Sequence, residues 1–358
     1  MSEDRDYVHL INESIRSIFE SASRIAFKDP SQVYFLLKTI RWQKKAARLR
    51  LKWREGGIHV PPFMFVSITN RCNLRCKGCF PRAKHRLRKP EMSESKLRSI
   101  IQEARELGIS FILLAGGEPL VRPEILNITK DSPEIIFPLI TNGLLIDEEL
   151  LTKLKEQKNV VPVISLEGYK KDTDERRGKG VYDHLQRIIR LMREKNIFFG
   201  LSFTINRSNF DAVTNKGFIK HFLDSGCKLF FFVAYVPIEQ GPENWILSKE
   251  QRDRLISLTY QFRSKFPGLF FAFPGDEEKF GGCLSAGRGF LHINPEGDLE
   301  PCPFVPYSDT NLSVFPLREA LQSEFLRKIR QNHEHLRRMQ GSCTLWEKRE
   351  WVRSLLPE

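Results

Sequence analysis

The sequence predicts an α/β fold built on a parallel sheet covered by helices. Two patterns predict it. From residue 63 onward, short apolar runs alternate with amphipathic stretches at helical spacing, in about six pairs. Each apolar run is followed by a glycine-containing or polar segment, so one rim of the sheet gathers the polar loops. Such a sheet closes into a barrel or stays open and doubly wound, and in a barrel the chemistry gathers at the C-terminal strand ends.

The elements follow in order. Residues 1–60 read as a helical extension. "DYVHLINESIRSIFESASRIAF" sets Val8, Ile11, Ile15, Ile18 and Phe19 on one helical side. A second helix follows, with Asp29 and Ser31 as candidate caps and Gly56–Gly57 as its stop. Residues 61–274 hold the alternating units, with "FMFVSIT", "FILLAGG", "EIIFPLIT", "VVPVISLEG", "IFFGLSFTIN" and "KLFFFVAYV" as strands. The first intervening helix, "SESKLRSIIQEARELG", is closed by Gly108. In residues 275–358 the rhythm changes. "GGCLSAGRGFLHINPEGDLEPCPF" reads as a β-hairpin turning at "NPEGD", followed by the helix "LREALQSEFLRKIRQNHEHLRRM", together a small further module.

The hydrophobic content of 41% supports a sizeable core across the 358 residues. The net charge of +13 suits an anionic partner and equally a solubilising surface. Between Lys38 and Arg54 there are eight basic residues and no acidic one, with Trp42 and Trp53 among them. Residues 31–57 therefore read as a helix lying on an anionic membrane surface, or as one packed on the main domain with its basic face in water. The opening residues show no signal-peptide pattern, and no stretch approaches the ~20 apolar residues that span a bilayer. The expectation is a cytoplasmic protein, with residues 31–57 able to hold it peripherally on the inner membrane face. In a reducing compartment clustered cysteines bind metal rather than pair, and seven is an odd number.

"TNRCNLRCKGCF" places Cys72, Cys76 and Cys79 in C-x3-C-x2-C spacing after the first strand. A structural zinc site wants four ligands, and His85, beyond "FPRAK", gives no familiar finger spacing. A [4Fe–4S] cluster usually takes four thiolates, so three leave one iron open for a substrate or cofactor. Gly116-Gly117-Glu118-Pro119 follows the second strand and "TNG" the third. Ser165 and Glu167 close the fourth, Thr204 and Asn206 the fifth.

This set resembles the radical S-adenosylmethionine (SAM) superfamily over residues 60–236, on the three cysteines, the GGEP segment and the later "SLEGYKKDTDERRGKG". The resemblance implies a partial (β/α)6 TIM-like barrel and an enzyme of oxidoreductase or transferase type. It implies a [4Fe–4S] cluster with an open iron on Cys72, Cys76 and Cys79, and SAM chelating that iron. Gly116, Gly117, Glu118 and Pro119 would hold the methionine amino group, with Glu118 accepting its hydrogens rather than capping a helix. Ser165 would reach the ribose, and Arg177 the SAM carboxylate, unless Arg176 faces in instead. Asn206 either contacts the ribose region or is an ordinary loop residue. Where the family usually has an aromatic before the third cysteine this chain has Gly78, so the adenine environment is expected to differ. The implied reaction is reductive cleavage of SAM to a 5′-deoxyadenosyl radical that abstracts hydrogen from an unactivated C–H bond. The electron would come from a donor such as flavodoxin or ferredoxin. No catalytic residue is identified.

Cys283 and Cys302, with Gly297 between them, resemble the start of a SPASM or twitch auxiliary-cluster domain, truncated so that only Cys343 remains of the later cysteines. This implies a second [4Fe–4S] cluster on Cys283, Cys302 and Cys343. Its fourth position would be an open iron, His333, His335 or a distant group. Cys227, in "DSGCKLFFF", reads as a core residue.

The substrate stays open. The basic helix and the many phenylalanines suit a membrane-lipid hydrocarbon chain to be modified or cross-linked, and auxiliary-cluster relatives suggest a peptide or protein. A zinc-stapled nucleic-acid-binding module is the alternative of another class. The GGEP segment and the rim pattern argue against it, and no nucleic acid is expected as a partner.

Overall fold

The computed structural model describes residues 3–23, 25, 30–80, 90–237, 243–275, 277–337 and 343–357. Asp29 and His85 lie outside the described residues, as does the side chain of His333.

The strands are β1 (Phe63–Thr69), β2 (Phe111–Gly116), β3 (Phe137–Thr141), β4 (Val160–Ser165), β5 (Gly200–Ile205), β6 (Leu229–Ala234), β7 (Leu269–Phe273), β8 (Phe290–Ile293) and β9 (Leu299–Glu300). They form one nine-stranded sheet in the order β7-β6-β5-β4-β3-β2-β1-β8-β9. Every pair is parallel except β8–β9. The six expected runs are β1 to β6, and the sheet is not closed, since β7 and β9 are its edges. β7 had no counterpart in the sequence reading. The hairpin of residues 275–358 is hydrogen-bonded into this sheet, because its first strand, β8, lies alongside β1.

The two faces of the sheet differ in burial. On β1, Met64, Val66 and Ile68 are fully buried, in one core with Leu97, Ile100 and Ala104 of the helix Glu94–Leu107. Each such side chain contributes about 1.5–3 kcal/mol by leaving water. The alternate residues Phe63, Phe65 and Ser67 are only half-buried. β2, β3, β5 and β7 repeat the alternation. The half-buried set marks an inner face that the N-terminal helix covers in part, its Ile11, Ile15 and Phe19 packing with Phe63 and Phe111, and that Val161, Val163, Phe231, Phe271 and Phe273 fill elsewhere.

The helix Glu94–Leu107 starts on Ser93, whose side chain accepts from Lys96 N, and ends at Gly108 in the left-handed region at φ 91°. A Cβ on Gly108 would come within 2.7 Å of Ala46 O. That close approach seats α2 (Pro30–Glu55) on this helix, while α1 (Glu3–Ser23) packs through Ile11, Ile15 and Phe19 with Phe63 and Phe111. Arg50 Nη1 donates to Gly108 O at 2.6 Å. Trp53 packs on the core and Trp42 meets Phe35 edge-on, so neither indole heads the exposed stripe. That stripe carries Tyr34, Leu37, Lys38, Arg41, Lys44, Lys45, Arg48, Leu51 and Lys52. No helix among the described residues is long and apolar enough to cross a membrane.

Candidate functional site

The polar rim is assembled by the ends of β1 to β5. The loop after β1 carries Cys72, which is exposed, and Cys76 and Cys79, which are half-buried. The loop is strapped from the far side: Lys77 N donates to Arg176 O at 2.9 Å, and Arg176 Nε donates to Lys77 O at 3.2 Å. Charge on Cys76 and Cys79 acts on Cys72, and charge on Cys79 acts on Cys76. Desolvation pushes Cys72 up, and Glu118, Cys76 and Cys79 add to it. Desolvation also pushes Cys76 up, against the opposing pull of Arg177 and Arg176. Leu74 N donates to Cys72 Sγ at 3.4 Å, and Asn142 Nδ2 lies 3.8 Å from the same sulfur.

Gly116 and Gly117 are required by close approach. A Cβ on Gly116 would sit 2.5 Å from Thr69 O, and one on Gly117 2.1 Å from Arg71 O. Gly117 N donates to Thr69 O and Glu118 N to Arg71 O, so the β2 loop is laced to the root of the cysteine loop. Pro119 opens a 3-10 turn, Pro119–Val121. Glu118 caps that turn, accepting from Leu120 N, which corrects the expectation that it would not serve as a cap. It also accepts from Thr141 Oγ1 and from Asn142 N, each at 2.7 Å. Burial pushes its carboxyl up, and these bonds oppose the shift. Three of about four lone-pair positions are therefore taken, leaving one for a ligand donor.

Arg177 and Arg176 both face in, and both end on Glu167 Oε1. Arg177 Nε donates there at 2.9 Å. Burial works against the charge of Arg177, but the Glu167 carboxylate prevails and holds its pKa above the ordinary value. Glu167 Oε2 is buried with no hydrogen-bond partner among the described residues. Ser165 ends β4, buried, paired in register with Ser202. Asn206 Oδ1 accepts from Ser208 N, Ser208 Oγ and Asn209 N, so its carbonyl oxygen serves the turn and its Nδ2 is what could reach a ligand.

At Gly78 (φ 60°) a Cβ would come within 2.9 Å of the Trp245 ring and 3.3 Å of Tyr235. The aromatic surface beside the cysteine loop therefore comes from the segment after β6. Sequence reading missed both rings, as well as Asn142 and the coupling of Glu167 to the arginines. The "TNG" and "SLEG" segments were the only signals for the last two.

In the C-terminal module, burial pushes the Cys283 thiol up and Cys343 to about 12, with Cys283 and Glu277 adding to the second shift. Cys302 is buried at the end of the hairpin, and Ala286 N donates to Pro301 O at 3.0 Å, joining the segments that carry Cys283 and Cys302. His335 lies against Trp351. Cys227 is a core residue whose burial pushes its thiol up to about 12. Phe80, the residue after Cys79, meets Phe304 edge-on at 4.8 Å and Trp346 at 6.4 Å, linking the two cysteine sets.

The donor set fits an iron–sulfur cluster with a small cationic and anionic ligand: three soft thiols, a glycine cradle, a buried carboxylate with room to accept and a buried arginine. Residues 66–213 match the sequence family described as the Radical SAM superfamily. The chain is 24% identical over 318 residues to a Methanosarcina barkeri protein named AdoMet-dependent heme synthase, covering 81% of this chain and 89% of that protein. It is 25% identical over 292 residues to the GTP 3′,8-cyclase of Clostridium perfringens, covering 75% and 87%. Among solved structures it resembles Streptococcus suis SuiB with a TM-score of 0.64 at 19% identity, covering 85% of this chain and 74% of that one, which shows the fold.

Proposed function

We propose that the chain, whose residues 66–213 match the Radical SAM superfamily, is a radical SAM enzyme that removes a hydrogen atom from an apolar substrate held on the inner face of the sheet. The family implies a [4Fe–4S] cluster and SAM. Cys72, Cys76 and Cys79 would hold the cluster. Gly116, Gly117, Glu118 and Pro119 would hold the amino group, Arg177 the carboxylate, and Ser165 and Asn206 the ribose side. When bound, the pair supplies one electron for reductive cleavage of a sulfonium and so a carbon radical strong enough for unactivated C–H bonds. The protein's part is to orient and to exclude water. Glu118 fixes one end of the amino acid, Arg177 the other, and Trp245 with Tyr235 shields the cysteine loop. The observation that carries this reading is the lacing of the Gly116–Gly117 cradle to the root of the loop that bears Cys72, Cys76 and Cys79.

Cys283, Cys302 and Cys343 would hold an auxiliary cluster, supported by three free thiols in one module and by the hydrogen bond of Ala286 N to Pro301 O that joins the Cys283 and Cys302 segments. Electrons would come from a small reduced protein such as flavodoxin or ferredoxin. The substrate is read as a lipid acyl chain. The phenylalanines of the inner face suit it, and the exposed stripe of α2, with cations and the exposed Tyr34, Leu37 and Leu51, would dock on an anionic bilayer. A tetrapyrrole is the second reading, supported by the heme synthase relative that aligns over most of both chains. The test is isotope transfer. Reconstituted protein, SAM and reductant are mixed with phosphatidylglycerol vesicles bearing perdeuterated acyl chains. Deuterium in 5′-deoxyadenosine is expected. Its absence, with stimulation by iron coproporphyrin III instead, overturns the lipid reading in favour of the second.

A further inference from the structure

A second polar constellation lies on the inner face, apart from the cysteine loop. His292 Nδ1 is 2.6 Å from Glu300 Oε2, and His292 Nε2 is 2.8 Å from Ser67 Oγ. Strand register builds it. His292 pairs directly with Glu300 across β8–β9, and Phe65 pairs with His292 across β1–β8, so Ser67 stands one pleat further along the same face. His292 and Glu300 are buried, while Ser67 belongs to the half-buried inner set. Opposite Ser67 on β2 stands only the methyl of Ala115. Thr69, two residues on, ends the strand that leads into the cysteine loop, so the hydroxyl lies about 7 Å below the rim.

The polarity of the chain of bonds follows from the partners. A carboxylate accepts only, so the Nδ1 of His292 carries a proton, and in the neutral imidazole Nε2 then presents its lone pair to the Ser67 hydroxyl. Asn294 Nδ2 donates to Glu300 Oε1 and to Asp298 Oδ2, each at 3.1 Å, fixing the carboxylate from behind. None of these side chains is needed to hold the cluster or SAM. A buried imidazole backed by a carboxylate and ending on an accessible hydroxyl is suited to moving a proton.

We propose that Ser67, His292 and Glu300 form a proton relay opening onto the inner face, and that a substrate bound there as proposed above, apolar apart from one O–H or N–H group, presents that group to Ser67. The substrate proton passes to Ser67 Oγ as the Ser67 hydroxyl proton passes to His292 Nε2. The substrate group is left as its conjugate base, and the imidazolium is held against the ionised Glu300. The reverse step returns the proton, and no electron is exchanged. Ser67 is the substrate-contacting group. His292 is the acceptor acting through it, and Glu300 is a positioning residue.

The test uses the full-length, cluster-loaded chain and iodoacetamide under anaerobic conditions. In Ser67→Cys the introduced thiol replaces the hydroxyl, and mass spectrometry follows its alkylation. A thiol ionised by an adjacent imidazole reacts at least about tenfold faster than one without it. The double variant Ser67→Cys with His292→Gln should therefore slow by about that factor. Equal rates in the two overturn the relay, because His292 then takes no proton. An unreactive thiol in folded, iron-loaded protein overturns it too, because the face is then closed. On the unaltered chain, 15N-histidine spectra assigned with His292→Gln should show His292 protonated at Nδ1 alone. Protonation at Nε2 alone overturns the relay without reference to any cysteine variant.

Discussion

Arg177 and Glu167 form a buried pair in which the guanidinium donates to Oε1 and leaves Oε2 of the same carboxylate without a partner among the described residues. Glu167 therefore positions Arg177 without exhausting its own capacity. Arg177→Ala should weaken SAM binding by about 1.5–3 kcal/mol, or roughly 10- to 150-fold, the range of hydrogen bonds to charged groups. Calorimetric titration of anaerobic protein measures it. Arg177→Lys should fail to restore affinity, because an ammonium cannot keep the forked contact. Unchanged binding in Arg177→Ala would place the SAM carboxylate elsewhere.

The contact of Phe80 with Phe304 should couple the cysteine loop to the C-terminal hairpin. A double-mutant cycle on Phe80→Ala and Phe304→Ala, read by urea unfolding, should give an interaction of about 0.5–1.5 kcal/mol. Strict additivity would mean that the two segments are energetically independent.

Iron content tests the auxiliary site. Cys283→Ser combined with Cys343→Ser should lower bound iron from about eight to about four per chain while the SAM-binding cluster persists. Retention of all the iron would remove Cys283 and Cys343 as ligands.

The α2 stripe gives a further expectation. Reversing Arg41, Lys45, Arg48 and Lys52 to glutamate should abolish flotation with phosphatidylglycerol vesicles, at about 1 kcal/mol per basic residue near the surface. Zwitterionic vesicles should not bind the unaltered chain. Binding to RNA but not to vesicles would turn the stripe toward nucleic acid.

The alternation of apolar runs and amphipathic stretches showed β1 to β6 and the rim in the sequence, because strand burial and helix caps are local properties. β7 was missed although Pro267-Gly268 breaks the preceding helix and "LFFAF" is an apolar run of strand length. The stretch of residues 210–226 forms two helices, Phe210–Val213 and Lys216–Asp224, because the Asn215 side chain caps the second. The C-terminal helix is likewise restarted at Ser323. At the site, spacing exposed the cysteines and glycines. It could not show that Trp245 and Tyr235 would cover Gly78, or that Ser67 and His292, 225 residues apart, would meet. The Ser67–His292 contact is set by strand register, and the Gly78 contact by loops distant in sequence, rather than by any local pattern.

The central claim is that Cys72, Cys76 and Cys79 hold a cluster that works on SAM. Its most direct test is formation of 5′-deoxyadenosine by anaerobically reconstituted protein given SAM and dithionite. The account predicts a brown protein that releases the nucleoside, and a Cys76→Ala variant that releases none. A colourless protein holding only zinc, or an iron-loaded one that leaves SAM intact, would contradict it.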